Sequence, residues 1–83
     1  MIIKYFSWMR EGVGTSEESF PLPAGVNTVS DLLDHLCEQS DGHARTLKER
    51  VFVRVAVNQT HVDHDHQLTD ADEVAVFPPV TGG

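Results

Sequence analysis

One segment of this chain constrains everything around it. In "NTVSDLLDHLCEQSDG", Val29, Leu32, Leu33, Leu36 and Cys37 recur at the i, i+3, i+4, i+7, i+8 spacing that lines one face of an α-helix with apolar side chains. Thr28 stands where an N-cap hydroxyl belongs, and Asp31, three residues on, puts a carboxylate at the positive end of the helix dipole. Gly42 is the expected stop. A single apolar face needs a single apolar surface to cover it. With 83 residues there is room for one domain with one modest core, so that surface has to be a small sheet.

The strands are found by composition and parity. "MIIKYFS" is rich in Ile and aromatics and opens as a strand. "WMREGVGT" makes one or two helical turns ended by Gly12 and Gly14, with Trp8 expected to be a partly buried packing residue. "SEESFPLP" gives a short edge strand with Phe20 and Leu22 on one face, because Pro21 and Pro23 cannot donate to a ladder. "HARTLKER" suggests a further short helix. "VFVRVAVN" alternates with period two and predicts a strand with Val51, Val53, Val55 and Val57 on one face. "QTHVDHDHQLTDAD" reads as two turns around a short strand, and "EVAVF" is the last strand, stopped by Pro78 and Pro79. The expected fold class is two-layer α+β: one main helix across a small mixed sheet.

Parity also predicts an exposed patch. If Val74 and Val76 lie under the helix, Ala75 and Phe77 point the other way. Lys4 belongs on the solvent side of the first strand, and Phe6 with it. Phe6, Ala75 and Phe77 would then share the open face of the sheet, and exposed apolar clusters on small proteins mark interfaces.

Charge excludes some functions. Six basic residues against 13 acidic ones give a formal −7, which argues against nucleic acid, whose phosphates require clustered Lys and Arg. No apolar run is long enough to span a bilayer, and the N-terminus lacks a secretory cleavage pattern, so the expected location is the cytoplasm, away from membranes. Cys37 has no partner for an internal disulfide and reads as a small buried hydrophobe.

Catalytic chemistry is scarce. No Ser–His–Asp spacing or phosphate-cradling glycine loop is present. "HVDHDH" offers His61, Asp63, His64, Asp65 and His66 at spacings compatible with a divalent metal. A solvated turn is the favoured reading, because no fourth ligand with motif spacing follows, so no metal is expected. Arg10 and Glu11 read as an ordinary solvated pair.

What remains is "FPPVTGG". The expected organisation is a domain over residues 1–77 and a tail over residues 78–83. If extended, the tail's six residues reach about 20 Å. Pro78 and Pro79 stiffen its root, Val80 and Thr81 offer side chains to a groove, and Gly82 and Gly83 pass through a channel that any Cβ would block. A C-terminal glycine carboxylate is uncrowded but a poor electrophile. It has to be activated, for instance as an acyl-adenylate, and no tail side chain can do that. This pattern predicts a carrier or substrate whose catalysts sit on partners.

Those residues also carry a resemblance. "VAVNQTHVDHDHQLTDADEVAVFPPVTGG" resembles the C-terminal part of the small subunit of molybdopterin synthase, within the ubiquitin-like β-grasp sulfur carriers, and "KYFSWMREGVGT" is similar to that family's first strand and helix. The resemblance implies that an E1-like enzyme uses ATP to adenylate Gly83, and that a cysteine desulfurase system supplies sulfur for a C-terminal thiocarboxylate. It further implies that the tail enters the large subunit and gives its sulfur to a cyclic pyranopterin precursor. No permanently bound cofactor is implied, and the assembly would hold two copies of each subunit. Phe6, Arg10 and Phe77 match family positions at the subunit contact, which joins the patch reached by parity. Ala71 stands where the family usually has Gly, which singles out that turn. The alternatives of the same class are sulfur carriage to thiamine or to a tRNA base, and conjugation to a lysine as a ubiquitin-like modifier.

Overall fold

A computed structural model describes residues 1–79. Strand β1 (Ile2–Tyr5) leads to helix α1 (Met9–Val13) and strand β2 (Glu17–Ser19). Helices α2 (Val29–Cys37) and α3 (Asp41–Leu47) follow, then a 3₁₀ turn at Arg50–Phe52. Strands β3 (Arg54–Val57), β4 (Thr60–Val62) and β5 (Glu73–Phe77) complete the elements of the described residues. The sheet order is β2-β1-β5-β3-β4, with β1 and β5 parallel at its centre and the other neighbours antiparallel. With α2 packed across one side, this is the α+β β-grasp arrangement expected from the sequence.

The start of α2 is closed by reciprocal bonds. Thr28 Oγ1 accepts from the Asp31 N–H (3.1 Å), while Asp31 Oδ2 accepts from the N–H groups of Asn27 (3.0 Å) and Thr28 (3.2 Å). These backbone donors hold the Asp31 carboxyl below its ordinary pKa. The next two donors, the N–H groups of Val29 and Ser30, reach the carbonyls of His66 (3.0 Å) and His64 (2.8 Å). The His-rich turn therefore helps cap the helix through its backbone. Val29, Leu32, Leu33 and Leu36 are fully buried with Ile3, Val74 and Val76. Each such side chain contributes about 1.5–3 kcal/mol.

Several boundaries differ from the sequence reading. Alternation suggested a strand from Val51, but pairing begins at Arg54, opposite Phe77, and Val51 is 70% exposed. Trp8 is not a packing residue: it occupies the N-cap position of α1 and is 53% exposed. Phe20 and Leu22 pack against the core from just beyond β2, which stops at Ser19.

Neither Gly12 nor Gly42 acts as a stop. Gly12 lies within α1 and Gly42 within α3, where the two helices meet. A Cβ on Gly42 would sit 2.5 Å from the Gly12 carbonyl oxygen, and one on Gly12 would collide with the Thr46 hydroxyl. Close approach is what these glycines permit.

Beneath α1, Tyr5 O–H donates to Glu18 Oε2 (2.6 Å), and the same oxygen lies 2.9 Å from His43 Nε2. The other ring nitrogen of His43 lies 2.7 Å from Ser40 Oγ, the N-cap of α3. The sequence spacing gave no hint of this Ser–His–Glu chain. Its hydroxyl also accepts the His43 N–H (3.1 Å), so the chain ties β1, β2 and α3 together. No helix among the described residues is long and apolar enough to cross a membrane.

Candidate docking face and tail root

The strand register sets which side chains share the open face of the sheet. Lys4 is level with Ala75, Ala75 with Ala56, and Ala56 with His61. One step along, Phe77 is level with Arg54, and the Phe6 N–H donates to the Val76 carbonyl (3.0 Å), which brings Phe6 level with Phe77. Phe6, Ala75 and Phe77 therefore lie on one face, opposite the buried Val74 and Val76. Phe6 is 45% exposed. Lys4 and Glu73 form an ion pair on the same face (3.5 Å).

His61 completes this face and was not recognised as part of it from the sequence. Its ring meets that of Phe77 edge-on, with centroids 5.2 Å apart. The signal was present in "VNQT". Asn58 and Gln59 both take positive φ (51° and 69°), as the two-residue turn of a tight hairpin requires. That turn fixes Val57 opposite Thr60 and Ala56 opposite His61.

Arg10 lies on α1 in the turn that follows Phe6, its backbone N–H donating to the Ser7 carbonyl (3.2 Å). Its Nε donates to the Ser7 carbonyl (3.4 Å), and it borders a hollow of about 270 Å³ with Glu11, Gly14, Thr15 and Ser16. A larger groove of about 490 Å³ runs beside β4, lined in part by Arg54, His61, Asp63, His64, Asp65 and His66. His64 Nε2 is engaged with the Val53 carbonyl (2.9 Å). Among the described residues no three His, Cys, Asp or Glu side chains converge as metal ligands.

The root of the tail is fixed at both ends of β5. Where it begins, Asn58 accepts the Glu73 N–H at Oδ1 (3.0 Å) and donates from Nδ2 to Asp72 (2.9 Å). Burial alone would raise the Asp72 pKa. The Thr69 N–H and Asn58 amide outweigh it and hold the carboxyl below its ordinary value. Ala71 makes no demand for glycine there, since positive φ among the described non-glycine residues is confined to Ser7, Asn58 and Gln59. Where β5 ends, Pro78 and Pro79 leave the sheet half-buried. Val80, Thr81, Gly82 and Gly83 lie outside the described residues.

The profile of the ThiS family matches residues 3–83. This chain belongs to the ThiS family. It is 47% identical over 81 residues to the "Molybdopterin synthase sulfur carrier subunit" of Escherichia coli (strain K12), covering 98% of this chain and 96% of that one. Among solved structures, the "Putative molybdopterin converting factor, subunit 1 from Pyrococcus furiosus" superimposes with TM-score 0.73 at 38% identity over 95% of each chain. SAMP1 from Haloferax volcanii gives TM-score 0.72 at 30% identity, covering 100% of this chain and 98% of that one. These likenesses agree with the small-subunit resemblance read from "FPPVTGG" and "DEVA", and with the ubiquitin-like β-grasp class.

Proposed function

We propose that this ThiS-family chain is the sulfur carrier subunit of a molybdopterin synthase, with Gly83 as its reactive end. An E1-like partner transfers AMP from ATP to the Gly83 carboxylate and releases pyrophosphate. A persulfide from a cysteine desulfurase system then attacks the acyl carbon and displaces AMP, and two equivalents of a thiol reductant cleave the resulting acyl disulfide, leaving the thiocarboxylate, the donor thiol and an oxidised disulfide. Inside the large subunit that sulfur passes to a cyclic pyranopterin precursor, and hydrolysis returns the carboxylate. The side chains of Pro78 to Gly83 include no acid or base, so the partners supply the catalysis.

The observation that carries this reading is the position of β5. It lies between β1 and β3, carries Ala75 and Phe77 on the open face, and continues without a loop into Pro78. A partner that docks on Phe6, Ala75 and Phe77 thereby fixes where the tail starts. Gly82, Thr81, Val80, Pro79 and Pro78 then serve as the arm that spans the channel.

The test is the intact mass of the protein isolated from its own host, with fragmentation to locate any change. Sulfur in place of oxygen at Gly83, lost when the activating partner is deleted, is the expected result. An unmodified carboxylate after incubation with ATP, sulfur donor and activating partner would refute it. The likeness to SAMP1, described elsewhere among solved relatives as a small archaeal modifier protein, favours conjugation as the second reading. An isopeptide bond between Gly83 and a lysine of another protein, found in the same experiment, would establish it.

A further inference from the structure

Among the described residues five large apolar side chains stand exposed, and four of them lie at the end of the sheet from which the tail departs. Because β1 runs parallel to β5, the residues that follow it, Phe6 and Trp8, emerge at the C-terminal end of β5. Because β3 runs antiparallel, the residues that precede it, Val51 and Phe52, emerge at that same end. Since β1 and β3 flank β5, the pairs stand on either side of Pro78. Val51 is 70% exposed and Phe52 56%.

The Val51–Phe52 side has a distinct charge. Arg45, Lys48, Arg50 and Arg54 are four of the six basic residues in a chain of formal charge −7. Arg50 is committed to Asp34 (2.6 Å), whereas Arg45, Lys48 and Arg54 are exposed. The exposed Glu49 is the one carboxylate between Arg45 and Arg54, so the segment around the apolar pair keeps a net positive charge and fits a partner surface that is apolar and acidic.

We propose that Val51 and Phe52, flanked by Lys48 and Arg54, form a second half of the docking surface and seat on an acidic, apolar rim of the large-subunit channel that receives the tail. This rests on the sulfur-carrier reading above. A channel mouth surrounds the tail it admits, so the partner has to meet both flanks of β5. Area leads to the same conclusion. An aromatic side chain buries about 150–250 Å² at most, so the partly covered Phe6 and Phe77 with Ala75 and His61 supply a few hundred Å². A stable interface buries about 800 Å² on each partner. Trp8 extends that area on the β1 flank of the tail root, and the apolar extension on the β3 flank is Val51 and Phe52.

The experiment titrates the large subunit with the full-length wild-type chain, Phe52→Asp, the double variant Val51→Ser/Phe52→Ser, Arg54→Glu and Phe77→Asp, with thermal unfolding of each as a check of folding. Phe52→Asp is expected to raise Kd at least tenfold and the serine double variant severalfold. Arg54→Glu should slow association and flatten its salt dependence, as for a steering charge. If Phe52→Asp is poorly folded, the double variant decides. Wild-type affinity in the Phe52 variants with weakened Phe77→Asp overturns the second half alone. Wild-type affinity in all of them overturns the sulfur-carrier docking reading as well. Dependence on Phe52 confined to the adenylating enzyme or to self-association, with large-subunit binding unchanged, also overturns the proposal.

Discussion

Tyr5 provides a direct test of the buried polar tie between the sheet and α3. Its phenol is 1% exposed and donates to Glu18 Oε2 at 2.6 Å. Burial first, and then the bond and charge of Glu18, push its pKa well above the ordinary tyrosine value. In the unfolded chain the phenol ionises near its usual value of about 10. Below that pH both states keep the proton, and the contribution of Tyr5 to stability is fully present. Above it the unfolded state loses the proton while the folded state retains it, so stability falls as pH rises toward the higher folded pKa. The slope is about 1.4 kcal/mol per pH unit. A rise from about pH 10 to about pH 11.5 therefore removes about 2 kcal/mol, a sizeable share of the roughly 4–12 kcal/mol usual for a domain of this length. Urea unfolding across that range is the assay, comparing wild type with Tyr5→Phe. Tyr5 is the single tyrosine in the chain, so phenolate absorption reports this side chain alone. The variant should start about 1–2 kcal/mol less stable at neutral pH, having lost a bond to a charged acceptor. The gap should then close as the wild type alone pays the alkaline penalty. Parallel pH slopes, or phenolate forming near pH 10 in protein that is still folded, would refute the reasoning.

Three further outcomes are expected. Phe77→Asp should raise Kd for the large subunit at least tenfold with little change in thermal midpoint, since its side chain lies on the open face; unchanged affinity in a binding titration would remove that face from the docking account. Gln59→Gly should stabilise the protein by about 0.5–1 kcal/mol in urea unfolding, because the β3–β4 turn holds residue 59 at φ 69° and glycine takes that conformation without the Cβ cost. The depressed pKa of Asp72 contributes stability that is present above the unfolded carboxylate value of about 3.9 and is lost as pH falls through the lower folded value. Asp72→Asn should therefore show a shallower acid loss than wild type in unfolding measurements between about pH 5 and about pH 2.

The helix and the parity of the last strand were legible because local chemistry decided them. Thr28 and Asp31 close α2 by bonds within four residues, and Val74 and Val76 alternate against a buried surface. Val51 was misplaced because alternation in "VFVRV" continues beyond the point where a partner strand exists. The ladder opposite begins at Phe77, and Pro78 has no N–H to extend it. Gly42 was read as a terminator, yet Glu38 already caps α2 and Gly42 answers a contact with Gly12, thirty positions away in sequence. Trp8 is expected from the sequence to be partly buried, but the turn after β1 carries it outward, where it is 53% exposed. His61 was seen only as part of a His-rich string, because its neighbour Phe77 is a matter of strand register. The chemistry of the tail rests on residue types alone, and its residues from Val80 lie outside the described structure.

The meeting of Gly12 and Gly42 has a consequence at a distance. Helix α1 follows directly from Phe6 and Trp8, and α3 leads to Val51 and Phe52, so the contact between the two glycines sets the gauge between the flanks of the tail. A methyl group at either position would wedge the helices apart and widen that gauge while every side chain on the docking surface stayed chemically intact. Two glycines outside the proposed docking surface thereby act as a spacer, machined to the width of the seat around the tail root.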